Sequence, residues 1–449
     1  MPDTLFPLPA AQPQPQAQAP QGGKPRLLRA NRQQIEMRLA SLDDLLPDDH
    51  RVRIVWAAVE SFDLSPLYDQ IAAVEGEPGH PAIDPALLVA VWLTATLDGV
   101  GSARALERLC HEHLAYQWLL GGVSVNYHTL SDFRVDHTQA LDGLLTRGVA
   151  ALLKEGLVDL TRTAQDGVRV RASAGASSFR RAETLADCLQ QAEQHVQHVK
   201  ATGAAEDGLA PTPRQAAARV RAARERLARV QQAVAEVEKV QTAKAQQREL
   251  KRKARPARAS TTDPEARVIK MADGGFRPAV NAQLNVDMGS RIIVGLDLST
   301  EADVHLLEPM LTQTQERYGQ RMDEHYVDGG FRSNAGITAA ATQGVTVYTP
   351  IPRRQPSQRN PHLPEEVLPT DSPPVAEWKQ RMVTPEAKAK YKDRAATVEW
   401  ANALLRQRGL QRLLVRGLAK ARAVLLWFVL AHNVMQSLAL RQARQAVPA

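Results

Sequence analysis

The sequence predicts an α/β protein, with a mixed-sheet domain that follows a helical N-terminal domain and is interrupted by a long helical insertion. Three observations carry this. Residues 28–155 hold amphipathic helical segments with capping signals. From Leu160 the pattern changes to short alternating runs bounded by Gly and Asp. After the first such run comes a segment, residues 177–263, whose middle carries a sustained heptad.

Residues 1–27 are rich in Pro, Gln and Ala and poor in large apolar side chains, so they are expected to be disordered. In the helical part, Asp84-Pro85 supplies an N-cap and a Pro at the first helical position, and Leu87, Leu88, Val91 and Trp92 form the apolar stripe. Asp98-Gly-Val-Gly101 ends that helix, and Ser102 is expected to cap the next, Ala103 to Leu120. A third is expected from Thr129, with Asp132 reaching back to it. Helix, Gly-containing turn and helix could bind DNA, but many bundles that bind nothing share the pattern.

Strands are expected at Thr161–Ala172, around Val168 and Val170, then at Ala279–Asp287 and Arg291–Ser299, joined by a tight turn at Met288-Gly289. His305–Tyr318 reads as an amphipathic helix and Glu324–Val327 as a short strand running into Asp328-Gly-Gly330. Next come a helix at Ser333–Thr342, a strand at Val345–Ile351, a loop with seven prolines from Pro352 to Pro374, and the helix containing Glu399. Three strands, helix, strand, helix, strand and helix is the element order of an RNase H-like domain. It would comprise residues 156–176 and 264–445. In the insertion, Val220, Leu227, Val230, Val234 and Val237 form a coiled-coil seam, closed on itself or made with a second chain.

Composition narrows the function. Among 449 residues, 56 Lys and Arg exceed 49 Asp and Glu, a mild excess that is unevenly placed. Between Pro211 and Thr262 there are 14 basic and 4 acidic residues, and after Glu399 there are 8 basic residues and no acidic one. Such local positive charge suits a polyanion partner. Cys110 and Cys188 are the two cysteines, too few for a disulfide framework or a Cys-based zinc site. Cys110-His-Glu-His113 sits among Leu106, Leu109, Leu114 and Trp118, which makes it part of an amphipathic helix. The N-terminus lacks the apolar stretch of a signal peptide, and the run from Ala423 to Ala431 is too short to span a bilayer. A cytoplasmic protein is expected.

Three acids can converge in this arrangement. Asp166 lies in the first strand, Asp328 follows the fourth, and Glu399 lies on the late helix. The first and fourth strands are neighbours in such a sheet, and a helix packed across them brings the third carboxylate within reach. Three carboxylates and a substrate phosphate suffice for Mg²⁺, or Mn²⁺, and two ions could activate a water or 3′-hydroxyl and stabilise the leaving oxygen. At about 100° per residue, Tyr391, Arg394, Glu399 and Arg406 fall within an arc of roughly 140°. A carboxylate flanked by cations suits a metal held beside a nucleic-acid backbone.

The segment Tyr391-Lys-Asp-Arg394-Ala-Ala-Thr-Val-Glu399, with Arg406 seven residues later, resembles the Tyr-Arg-Glu-Lys signature of bacterial insertion-sequence DDE transposases of the IS-four-like superfamily. Two departures are that four residues rather than three separate Arg394 from Glu399, and that Arg406 stands where Lys is usual. Ser260–Arg267, Asp273–Pro278 with Asn281, and Val375–Met382 are similar to the family's connecting segments. Leu45 to His137, with Arg104, Leu106, Glu107, Trp118 and Thr129-Leu-Ser-Asp-Phe-Arg134, is similar to its N-terminal domain, and the insertion places the chain in the branch interrupted between the first two acids.

The resemblance implies DNA transposition. Asp166, Asp328 and Glu399 would be the catalytic, metal-binding triad for two Mg²⁺ (or Mn²⁺) ions. Tyr391 would contact the terminal phosphate or stack near a displaced base, and Arg394 and Arg406 would grip backbone phosphate, with Arg104 and Arg134 among the DNA-binding residues of the helical domain. Double-stranded DNA, as transposon ends and target, would be the partner of a homodimer working at the bacterial nucleoid, with no membrane involved. Two alternatives stay open: another RNase H-like nuclease, which would not need the Tyr391/Arg394/Arg406 face, and a catalytically inactive DNA-binding or scaffold protein.

Overall fold

The strand β1, Arg162–Arg171, organises the sheet, because its two faces bury different chemistry. The computed structural model describes residues 39–73, 80–201, 212–248, 256–352 and 367–446. The expectations for residues 1–27 and for most of the Pro-rich loop lie outside them. Of the N-terminal unit, Met1–Ser41, only residues 39–41 are described, and they carry no regular structure. The second unit, Leu42–Ala449, holds the sheet and the helices.

β1 pairs antiparallel with β2 (Phe276–Asp287), placing Asp166 opposite Leu284. β2 pairs antiparallel with β3 (Ile293–Ser299) and, at its start, with a short edge strand, Arg267–Lys270. On its other side β1 runs parallel to β4 (Glu324–Tyr326), which runs parallel to β5 (Thr346–Tyr348). The sheet order is therefore β3-β2-β1-β4-β5, mixed in direction. The β1–β4 ladder stops at Ala164 opposite Tyr326, two residues short of Asp166, so the sheet opens beside that carboxylate.

Alternation gives β1 its two faces. Ala164, Val168 and Val170 point into the main core. Thr163 and Gln165 point the other way, into a buried polar layer: Gln165 donates to Gln283 Oε1 at 2.9 Å and to the Leu306 carbonyl at 3.0 Å, and Thr163 shares a 2.8 Å hydrogen bond with His325. Each buried polar group that finds a partner avoids a desolvation cost of about 1–3 kcal/mol. The β2–β3 connection is held by buried Asp287, which accepts from the Ser290 N–H and hydroxyl and from the Leu160 N–H, while Arg291 takes a left-handed φ of 60°.

The helical part comprises α1 (Arg51–Glu60), α2 (Pro85–Leu97), α3 (Ala103–Glu112), α4 (Leu114–Leu120), α5 (Tyr127–Asp136) and α6 (Thr138–Lys154). Asp84 caps α2 by accepting from the Ala86 N–H at 2.8 Å. Two boundaries differ from expectation. The helix expected to run unbroken to Leu120 breaks at His113, whose backbone is extended and whose ring accepts from the Ala115 N–H, capping α4. The third helix starts two residues early, because Asn126 rather than Thr129 is the cap and accepts from the Thr129 N–H.

The insertion folds as α7 (Ala182–Ala201) and α8 (Pro213–Arg248), running antiparallel. Leu185 meets Ala233 and Val237 at one end, and Val196 and Val199 meet Ala223 with Val220 and Leu227 at the other. The heptad seam thus packs against α7 of the same chain, with Val230 and Val237 buried and Val220, Leu227 and Val234 half-buried. Buried Glu236 ties α8 to the sheet through Arg267.

The later helices are α9 (Leu307–Tyr318), α10 (Asn334–Thr342), α11 (Pro373–Val383), α12 (Pro385–Lys392), α13 (Trp400–Gln407) and α14 (Leu418–Ala446), the last of which corrects the reading of its apolar run: it is long and apolar enough to cross a membrane. It lies instead inside the molecule, packed against α2, α5, α6 and β3. Trp427 stacks near Trp92 and Phe133 at centroid distances of 6.5 and 6.2 Å and donates to the Arg134 carbonyl at 3.0 Å. One hydrophobic core therefore runs from the N-terminal helices to the sheet.

Candidate active site

Asp166 is partly buried in mid-strand, its side chain 21% exposed, where a charged group needs partners. One oxygen accepts from the Gly167 N–H at 2.9 Å and the other from Asn402 Nδ2 at 2.9 Å. Burial pushes its carboxyl up to about 6; the Arg394 guanidinium opposes this, and Asp328 and Glu399 add to it. Proximity of the three acids is thus felt as mutual repulsion at Asp166.

Asp328 follows β4 at the point where the ladder to β1 ends, and its carboxylate accepts from the Gly330 N–H at 2.7 Å. Gly167, after Asp166, and Gly330, two residues after Asp328, leave little room for a side chain. A Cβ on Gly167 would stand 2.6 Å from Asn281 Oδ1 and 2.9 Å from Asp303 Oδ1, and one on Gly330 would stand 3.0 Å from Asp328 Oδ1 and 3.4 Å from Asp303 Oδ2.

Glu399 departs from the expected continuous α-helix. The helix Pro385–Lys392 is followed by a π-helical turn, Ala395–Glu399, and then by Trp400–Gln407. The Thr397 hydroxyl donates to the carbonyls of Arg394 (2.9 Å) and Asp393 (3.2 Å), which opens the regular ladder. A π turn takes one more residue per hydrogen-bonded turn than an α turn. The extra residue between Arg394 and Glu399 is absorbed there, and the two side chains meet at 2.8 Å despite their five-residue offset.

Asp166, Asp328, Glu399 and Arg406 line one cavity of about 320 Å³, together with Gly167, Arg169, Asp303 and Asn402. Arg406 is exposed at its rim. Tyr391 is half-buried, donates to the Val327 carbonyl at 3.2 Å and lies beneath the Arg394 guanidinium. Arg394 is not free to grip a phosphate: its side chain is 11% exposed, bonded to Glu399 and 4.0 Å from Asp166. Arg104 is exposed, stacked on Tyr127 at 4.7 Å. Arg134 contradicts its assignment to a DNA surface. It is 8% exposed, donates to the Gly101 carbonyl and lies over Trp92, so it holds the Asp98–Gly101 turn against the core.

Two cavity residues were missed by sequence reasoning. Asn402 sits three residues beyond Glu399, a helical spacing that could have flagged it. Asp303 arrives from the turn after β3 and carries no local signal.

Among the described residues no three His, Cys, Asp or Glu side chains are placed so as to hold a metal ion together. The Arg394 guanidinium stands 2.8 Å from Glu399 and 4.0 Å from Asp166. The donor set itself fits a hard divalent cation: carboxylates converging on one cavity, with the buried Oδ1 of Asn402 lacking a partner among the described residues. Glu399, half exposed, has room to turn away from Arg394.

Residues 40–136 match a family described as a transposase domain (DUF772), and residues 366–438 match one described as a transposase DDE domain. The second range contains Tyr391, Arg394, Glu399 and Arg406, and the two together support a DDE transposase. No curated protein matches the chain.

Proposed function

We propose that this chain is an insertion-sequence transposase of the DDE type, which binds the terminal inverted repeats of its element and catalyses metal-dependent strand cleavage and strand transfer in the cytoplasm. The observation that carries the reading is the meeting of Asp166, Asp328 and Glu399 at one cavity with Arg406 on its rim. Strand order β3-β2-β1-β4-β5, with β1 and β4 adjacent, supports an RNase H-like catalytic domain with the α7–α8 hairpin as its insertion.

Asp166, Asp328 and Glu399 would hold Mg²⁺ or Mn²⁺, two ions in the full site. Bound divalent cations supply Lewis acidity to the attacking and leaving oxygens of a phosphodiester. The chain's own residues do the rest. Asn402 fixes the orientation of the Asp166 carboxylate through its Nδ2. Arg394 orients Glu399 and offsets the negative charge of Asp166. Arg406 presents a planar fork suited to backbone phosphate, and Arg104 offers a second exposed contact on the N-terminal helices. Pairing two element ends requires two active sites, hence a homodimer on DNA.

The test is incubation with duplexes carrying the element's own ends and Mg²⁺, with strand cleavage read on a denaturing gel. Cleavage at the element boundary by the wild type and none by Glu399→Gln is the expected result. Equal cutting by both, or binding of the ends with no cutting in either Mg²⁺ or Mn²⁺, would remove the catalytic reading.

A further inference from the structure

The cavity holds a fourth carboxylate, Asp303, in the short helical turn Asp303–His305 between β3 and the helix Leu307–Tyr318. It reaches the cavity from the polar face of the sheet, whereas Asn402 and Glu399 reach it from the other. Its two oxygens are treated differently. Oδ1 accepts from Asn281 Nδ2 at 2.7 Å and from Gln283 Nε2 at 3.0 Å. Oδ2 accepts no hydrogen bond among the described residues, and Arg169 stands 3.8 Å from it.

That second oxygen and Asp328 share a neighbour. Asp303 Oδ2 and Asp328 Oδ1 lie 3.4 and 3.0 Å from a single point, the place that a Cβ on Gly330 would take. Two carboxylates brought to one glycine repel, and a cation between them removes the repulsion. The hydrogen bonds do not require the charge, because an Asn at position 303 would offer Asn281 and Gln283 the same Oδ1 acceptor. A separate sign of a ligand comes from the neighbouring side chains. Asn402, 7% exposed and lining the cavity, and Asn281, 4% exposed and bonded to Asp303, each bury an Oδ1 with no partner among the described residues. A buried acceptor left unpaired is costly, and it is satisfied by a donor or a cation entering the cavity.

We propose that Asp303 is a further ligand of the divalent cation held at Asp328, so that Asp303 and Asp328 form one end of the metal site and Asp166 and Glu399 the other. This rests on the metal-dependent reading above. Its chemistry is that of a small hard cation, which needs one or two protein carboxylates and fills the remaining positions with water or phosphate oxygen.

The experiment is a titration of the full chain with Mn²⁺, counting bound ions by electron paramagnetic resonance, which needs no DNA and no turnover. Wild type, Asp303→Asn and Asp166→Asn are compared, with melting temperatures in EDTA. Asp303→Asn should melt in EDTA at or above the wild-type temperature and weaken one Mn²⁺ site by at least about tenfold. An isotherm superimposed on that of the wild type, or a lowered melting temperature with unchanged Mn²⁺ affinity, overturns the proposal and makes Asp303 a structural acceptor. Should Asp303→Asn fail to fold, Gly330→Ala puts a methyl between the two carboxylates and should weaken the same site; unchanged Mn²⁺ binding there overturns the proposal equally. If Asp166→Asn loses Mn²⁺ while Asp303→Asn does not, only the Asp303 assignment fails. If the wild type binds no Mn²⁺, the metal-dependent reading fails with it.

Discussion

Replacing Asp166 with Asn should stabilise the metal-free protein while abolishing its metal response. Burial raises the Asp166 carboxyl from 3.8 to about 6. A shift of about two units is worth roughly 3 kcal/mol at 1.36 kcal/mol per unit. The sign follows from proton uptake. Between these values the folded protein holds a proton that the unfolded chain has released, so the associated stability is present below about pH 4 and lost as pH rises through about 6. An Asn at position 166 never ionises and keeps an oxygen to accept from Asn402. At pH 7.5 in EDTA, Asp166→Asn should therefore gain up to about 3 kcal/mol, a rise of a few degrees in Tm for a chain of this size. Saturating Mg²⁺ should raise the wild-type Tm and leave the variant unmoved. The assay is thermal melting by circular dichroism in EDTA and in Mg²⁺ from pH 4 to 8. A variant that melts at or below the wild-type temperature in EDTA at pH 7.5, or that keeps the wild-type pH slope, would refute the reasoning.

Asp328→Asn and Glu399→Gln should each abolish strand cleavage in Mg²⁺ while retaining binding of element ends in a mobility-shift assay; near wild-type cleavage by either removes that residue from the triad. Deleting exposed Ala396 should convert the π turn to an α turn, keep Arg394 beside Glu399 and preserve cleavage. Deleting Ala403 instead should turn Arg406 by about 100° relative to Glu399 and abolish cleavage; loss in the first deletion would show that the wider turn is itself required. Arg394→Ala should cost about 1 kcal/mol in EDTA, given that Glu399 is half exposed, and should lower end cleavage and generic nicking together. Loss of end cleavage alone would return Arg394 to phosphate binding.

Much of this arrangement was legible because it is periodic. β1, β2 and β3 announce themselves by alternation, and Asp84-Pro85 by its capping chemistry. Asp166 and Asp328 could be picked out because each precedes a glycine, and the close approach of Gln283, Asn281 and Asp303 to Gly167 explains the first of them. The π turn was illegible to a reading at a constant 100° per residue, although the surplus residue before Glu399 was its trace. Arg134 was misplaced because a helix pattern gives spacing but not which neighbours close over a face, and here Trp92 and Gly101 do. Asp303 was invisible because its meaning depends on Asn281, Gln283 and Asp328, which converge only in the folded sheet.

The burial of α14 bears on the timing of synthesis. Trp427 closes a core whose other walls, Trp92 and Phe133, were made more than 290 residues earlier. At roughly 5–20 residues per second, the ribosome separates them by roughly 15–60 s. Throughout that interval the N-terminal helices lack their central partner. Chains stopped after Gly417 are accordingly expected to be protease-sensitive across residues 85–154, the region that α14 covers, and equal resistance in stopped and full chains would show that the helical part folds without it.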